Sequence, residues 1–185
     1  MVVTRRERTH ERLLTCALAL FEAQGFESTT TAQIAAAAGV TEMTFFRHFA
    51  SKARVVTTDP YDPMIADGIA TQPHGLPPLV RAARGVGQAL RTMSEPETDL
   101  VRRRVRVIAA SPALRASTFR GHEATETRIR DQLITDGAPE MEAHVAAAAL
   151  MAALTAALFL WAQDDELPVR TAVEAALLTL AGPGA

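Results

Sequence analysis

The stretch STTTAQIAAAAGVTEMTFFRHFASK, residues 28–52, decides the fold. Thr30 followed three positions later by Gln33 fits a capping box, in which each side chain accepts from the other residue's backbone N–H at a helix start. The helix that begins there runs to about Ala38 and carries Ile34, Ala35 and Ala38 on one face. Gly39 supplies a sharp turn, and Thr41 caps a second helix from Glu42 to about Phe49. Two short helices joined by a tight glycine turn make a helix-turn-helix. The small alanines let the two helices cross closely and steeply. In such a motif the second helix lies in the DNA major groove and the first crosses above it.

The second helix has more than one face. Residues 42, 46 and 49/50 follow one line at helical spacing, and 43 and 47 form the adjoining ridge. Phe45 and Phe49 are four residues apart on a third face, so the helix can bury two rings and still present another surface to a groove.

Outward from this core, a first helix is predicted over about 4–24. Leu13, Leu14, Ala17, Leu18 and Phe21 recur at helical spacing, and Gly25 stops the helix. Cys16, the only cysteine, falls inside it as a packing residue. Ser51 caps a fourth helix that must end before Pro60. The next segment, DPYDPMIADGIATQPHGLPP, holds five prolines and reads as a connector around a short helix over 62–72. Longer helices are predicted at about 78–94, 96–110, 112–135, 140–163 and 168–180, several opened by proline.

Composition agrees. The chain has 185 residues, 48% hydrophobic and only 5% aromatic, with few strand formers and no sustained alternation. The expectation is an all-α protein: an N-terminal helix-turn-helix domain at 1–54, and a second helical domain at 55–185. Net charge is −2 and the pI about 6.2, which taken alone argues against a nucleic-acid partner. The charge is uneven, however. Residues 1–54 carry Arg5, Arg6, Arg8, Arg12, Arg47, Lys52 and Arg54 against five glutamates, a balance of +2, which leaves −4 on the remainder. A nucleic-acid face therefore belongs in the first third. Every basic residue except Lys52 is arginine, a composition suggestive of a high-GC genome.

A lone cysteine and an N-terminus without an apolar run after its charges predict a cytoplasmic protein. The uncharged run VAAAALMAALTAALFLWA, residues 145–162, is near the lower length for a membrane span. Half of it is alanine and its C-terminal flank is acidic, so it reads instead as a helix buried on most sides, inside a core or a subunit interface, with no membrane.

Residues 8–56, and GFESTTTAQIAAAAGVTEMTFFRHFASKARVV in particular, resemble the DNA-binding domain of TetR-family transcriptional regulators. The remainder, through VRRRVRVIAASPALRASTF and PPLVRAA, resembles the C-terminal domain of actinobacterial, mycofactocin-type members, some of which are associated with acyl-CoA or other lipophilic ligands. The resemblance implies that Thr30 and Thr44 place hydroxyls on phosphates. It also implies that Phe45 and Phe49 pack the recognition helix, and that Glu42, Met43 and Arg47 face base edges. Phe46, His48 and Lys52 take backbone-contacting positions. Phe46 stands where relatives have tyrosine, so it has no phenolic bond to offer phosphate, but its ring can meet a sugar or a thymine methyl. Ala53 replaces a common glutamate.

Other residues leave alternatives open. Arg47 suits a guanine edge or a phosphate. Glu42 suits the helix dipole as well as cytosine N4. Arg5, Arg6 and Arg8 suit either an arm on DNA or solvated charge. The run RRRVR at 102–106 reads as solvated charge, or as partners for Glu95, Glu97 and Asp99. His122 and Glu126 lie one helical turn apart, a weak zinc pattern. No cofactor, phosphate-loop, metal or catalytic pattern emerges, so no enzyme is expected.

The function expected is a ligand-responsive repressor that binds a palindromic double-stranded operator as a homodimer. Helices 140–163 and 168–180 would form the interface, with Leu150, Leu154, Leu158, Trp161, Leu177 and Leu180 as interface or adjacent-core residues. A lipophilic small-molecule effector would meet Met64, Met93, Phe119, Met151 and Phe159. The rival is a helical small-molecule-binding protein that no longer binds DNA.

Overall fold

Each predicted helix is present, most with ends within one or two residues of the expectation. The computed structural model describes residues 4–57, 62–92 and 95–182, and the backbone alone at 62–63, 95–97 and 119–122. Its helices are α1 (Arg5–Gln24), α2 (Thr31–Ala37), α3 (Glu42–His48), α4 (Arg54–Thr57), α5 (Asp62–Ala70), α6 (Pro78–Thr92), α7 (Glu95–Ala110), α8 (Pro112–Thr135), α9 (Glu140–Trp161) and α10 (Val169–Ala181). Among the described residues there is no strand, and the fold is all-α. The chain divides into two compact units, Met1–Thr58 with Arg106–Thr118, and Asp59–Val105 with Phe119–Ala185.

In the first unit the helix ends form as their residues dictate. Thr30 and Gln33 complete a capping box at α2, and Thr4 and Glu7 complete another at α1. Thr41 Oγ1 accepts from Thr44 N at 3.2 Å to start α3, and Ser51 Oγ accepts from Arg54 N at 3.3 Å ahead of α4. Gly39 takes φ +62°, a left-handed conformation open to glycine, and so makes the turn between α2 and α3. Leu13, Ala17, Leu18, Phe21, Ile34, Ala35, Ala38, Phe45 and Phe49 are all buried. Leu114 is fully buried too, and Ser111 Oγ donates to Glu27 at 3.2 Å, both from the 106–118 segment.

The second unit is built on α5, α6, the later part of α8, α9 and α10. Its core joins Ile69, Ala82, Val86, Ile129, Leu133, Ala147, Leu150, Leu154, Val173 and Leu177. Leu150, Leu154, Trp161 and Leu177 are therefore interior to the protomer, with Leu158 and Leu180 partly buried against its core. Within one protomer the apolar 145–162 run is buried along one side. Ala143, Ala146, Ala147, Leu150, Leu154 and Ala157 are buried, but Met141, Val145, Ala148, Ala152, Ala156 and Leu160 follow one exposed stripe.

The arginine run also differs from its expectation. Arg102 donates to the backbone carbonyls of Trp161 at 3.1 Å, Leu167 at 3.0 Å and Asp164, and stacks on the Trp161 ring with its guanidinium carbon 4.3 Å from the centroid. It closes the carbonyl end of α9 rather than facing water. Arg104 is buried as well, and the side chains of Glu95 and Glu97 lie outside the described residues. A second buried guanidinium, Arg81 on α6, pairs with Asp136 at 2.5 Å.

Helices α5 and α6 cross through Gly68 and Gly85. A Cβ on Gly85 would lie 2.6 Å from Ile69 N, and one on Gly68 would overlap Gly85 O. Gly85→Ala should therefore lower stability by about 1–3 kcal/mol through overpacking, read as an earlier urea midpoint; an unchanged midpoint would mean that α5 shifts freely.

Candidate nucleic-acid interface and ligand cavity

Phe45 and Phe49 anchor α3. Phe45 is fully buried and Phe49 nearly so, their ring centroids are 5.8 Å apart, and His10 of α1 stacks on Phe49 at 4.4 Å. With that face buried, Met43 is 77% exposed and Phe46 51%. Glu42 and Arg47 are exposed beside them, while Thr44 and His48 are half-buried. The structure thus brings Glu42, Met43, Phe46 and Arg47 onto the outward side of one short helix.

Each remaining candidate has a definite setting. Thr30, exposed, spends its hydroxyl on the Gln33 N–H at the start of α2. Thr44 shares a 3.0 Å hydroxyl contact with Thr41. Glu42 accepts from the Thr31 hydroxyl, a tie between the starts of α2 and α3. His48 has its pKa lowered, first by burial and then by the charges of Arg6 and Arg47, so the free protein favours the neutral imidazole. Lys52 is held within the protein. Its ammonium donates to the carbonyls of Phe26 and Thr29, both at 2.7 Å, and sits 4.1 Å above the Phe26 ring centroid. It ties the α1–α2 turn together.

Arg5, Arg6 and Arg8 do not form an arm. The Thr4–Glu7 capping box starts α1 at Arg5, and the arginines project from its first turns. With Thr9, Arg12, Gly39, Val40, Thr41, Thr44, Arg47 and His48 they line one concave face. Arg12 entered the sequence reading only through the charge balance, although Arg5, Arg8 and Arg12 stand at i, i+3 and i+7, one side of a helix. Among the described residues no carboxylate lines this groove, which suits a polyanion.

The second unit holds a partly open apolar cavity of about 140 Å³. Met64 and Met151 line it, as expected, with Ile65, Val86, Leu90, Val101, Leu154, Leu158, Val169 and Val173 among the other walls. Among the described residues its polar side chains are the hydroxyls of Thr125 and Thr155, and no charged group lines it. Phe159 is placed elsewhere, packed against the Val105–Trp161 cluster. Met93 and the side chain of Phe119 lie outside the described residues, as does the side chain of His122. Among the described residues no group of three or more metal-ligating side chains converges.

A helix-turn-helix with an outward second helix and a basic groove, in a chain that also holds an apolar ligand-sized cavity, defines an all-α protein of the DNA-binding regulator type. Residues 13–57 match the bacterial regulatory proteins of the tetR family, and residues 76–184 match the MftR C-terminal domain. The chain belongs to the TetR family, with a C-terminal domain of the MftR type. The family is one of transcriptional regulators, not enzymes, and its members bind DNA operators and function as dimers.

The chain is 35% identical over 129 residues to the HTH-type transcriptional regulator TcmR of Streptomyces glaucescens, covering 66% of this chain and 57% of TcmR. It is 34% identical over 114 residues to MftR of Mycobacterium tuberculosis, named for transcriptional regulation of mycofactocin biosynthesis, covering 60% of this chain and 57% of MftR. The matches thus span little more than half the length of either curated relative. Among solved structures, SmeT, the repressor of the Stenotrophomonas maltophilia multidrug efflux pump SmeDEF, shares the fold. Its TM-score is 0.59 at 21% identity, over 92% of this chain and 87% of SmeT.

The Lys52 geometry makes a measurable distinction. Lys52→Ala should lower the stability of the DNA-free protein by about 1–3 kcal/mol, because two carbonyls lose a charged donor. If Lys52 acts on phosphate alone, the thermal midpoint of the free protein stays where it is.

Proposed function

We propose that the chain is a DNA-binding transcriptional regulator, a ligand-responsive repressor that binds a palindromic operator as a homodimer in the cytoplasm. The observation that carries this reading is the outward side of α3, with Met43, Phe46 and Arg47 exposed beside a groove of arginines free of carboxylates. In this reading α3 enters the major groove, Arg47 reads a guanine, and Arg5, Arg8 and Arg12 meet phosphates. Thr30, Thr44 and His48 add backbone contacts. A phosphate beside His48 would favour the imidazolium that the free protein disfavours. Residues 1–54 carry DNA binding, and 55–185 carry effector binding and dimerisation.

The dimer would form through helices 140–163 and 168–180. The exposed stripe Met141–Val145–Ala148–Ala152–Ala156–Leu160 on α9, with Leu178 on α10, is an apolar surface of mostly small residues that a second copy would cover. That surface also gives the apolar helix a role without a membrane. The cavity lined by Met64 and Met151 would take a neutral, lipophilic effector, because a charged group there would be desolvated without a partner. An effector that prefers one shape of the second unit would shift the population between DNA-binding and non-binding states.

Binding-site selection from random duplex DNA tests the first part. It should return an inverted repeat with half-site centres about 34–36 Å apart, and Arg47→Ala should relax preference at one position in each half. Uniform loss of affinity would make Arg47 a phosphate contact; recovery of no sequence would leave a ligand-binding protein without DNA. For the dimer, analytical ultracentrifugation at micromolar concentration should show two copies, and Ala152→Glu should give a monomer of unchanged helicity. A monomeric wild type would sink the interface.

A further inference from the structure

The exposed side of α3 has an unusual chemistry for a surface that meets a polyanion. Met43 and Phe46 stand three residues apart, Arg47 lies next to Phe46, and Met43 and Arg47 are four apart, so the three share one patch. Met43 is 77% exposed and Phe46 51%, the two most exposed large apolar side chains among the described residues of the first unit. Phe46 is also positioned. Its ring meets the buried Phe45 ring edge-on, with centroids 5.4 Å apart and planes at 89°. A half-exposed ring braced on a fully buried one offers its free edge in a defined place.

Neither side chain can read a base by a strong hydrogen bond, and neither can hold a phosphate. The acid on this side of the helix, Glu42, accepts from Thr31, and Arg47 is the cationic polar reader beside the patch. In the major groove the one apolar group on a base edge is the C5-methyl of thymine. The surrounding charge identifies the occupant: the groove that runs on from this patch is lined by Arg5, Arg6, Arg8, Arg12, Arg47 and His48, with no carboxylate, and that complements a duplex rather than a protein surface of mixed charge.

We propose that Met43 and Phe46 form a thymine-methyl reader, so that each operator half-site carries thymines against this patch beside the base pair read by Arg47. This rests on the DNA-binding reading above and specifies what that surface recognises. The preference is for a methyl group: an apolar contact forms where thymine stands, and the same space is left under-packed by cytosine or uracil.

The test uses the full chain and the duplex recovered by selection from random DNA. Each thymine of a half-site is replaced in turn by deoxyuridine, which keeps every hydrogen-bonding group and removes only the methyl. Binding should weaken about fourfold for each methyl that the patch covers, the loss expected for one buried methyl group. Phe46→Ala or Met43→Ala should then bind thymine and deoxyuridine duplexes equally at the matching position. Equal binding of the two duplexes by the wild-type chain at every position overturns the proposal. So does a deoxyuridine penalty that persists unchanged in both variants, since other groups would then read the methyl. Failure of the chain to bind any duplex overturns the regulator reading itself, and this inference with it. That outcome is distinct from DNA binding without methyl dependence, which overturns the inference alone.

Discussion

The first unit depends on the burial of Phe45 and Phe49. A seven-residue helix has too few internal hydrogen bonds to hold itself in water. α3 exists because these two rings, 0% and 4% exposed, are taken into the core with Ile34 and Leu18. Burying rings of this size is worth about 1.5–3 kcal/mol each. The same anchoring settles which residues face outward, since turning α3 by one position would put Phe46 in the core and Phe45 in water. Stability and recognition therefore share one constraint. The side of α3 that holds the helix down leaves Met43, Phe46 and Arg47 outward.

Cations that the sequence offers for contact with a partner or with water are used inside the protein. Lys52 closes the α1–α2 turn, Arg102 closes the carbonyl end of α9, and Arg81 pairs with Asp136 in the second unit. Each meets an acceptor that burial would otherwise leave unsatisfied. For Arg102 the acceptors come from Trp161, Asp164 and Leu167, some sixty residues along the chain. An arginine in a charge run at 102–106 therefore does not advertise its role locally. The basic face that remains for a polyanion is made of arginines that stay exposed, on the opening turns of α1 and on α3.

Much of the architecture was legible because its signals are short-range. The capping box at Thr30, the caps at Thr41 and Ser51, and Gly39 at positive φ act within a few residues. They set helix ends regardless of what packs around them. Helical periodicity likewise marked Leu13, Ala17, Leu18 and Phe21 as the buried side of α1. The cavity was legible only in part. Met64 and Met151 reach it, but Val101, Thr125 and Val169 enter its wall from separate helices, and Phe159 turns toward Trp161 instead. Nothing in the local pattern of a residue says which of two apolar neighbours it will meet.

The sequence by itself determined the all-α class, the helix ends, the helix-turn-helix and the partition of Phe45 and Phe49 from Met43, Phe46 and Arg47. All of these follow from interactions across a single turn or from the 3.6-residue period of one helix. The tertiary structure alone decided which side of the apolar α9 stays exposed, that α5 and α6 meet at Gly68 and Gly85, and that Lys52, Arg81 and Arg102 are held by distant carbonyls and a carboxylate. Those outcomes depend on groups brought together from far apart in the chain, and a buried charge or a bare glycine reveals its partner only once the helices have packed.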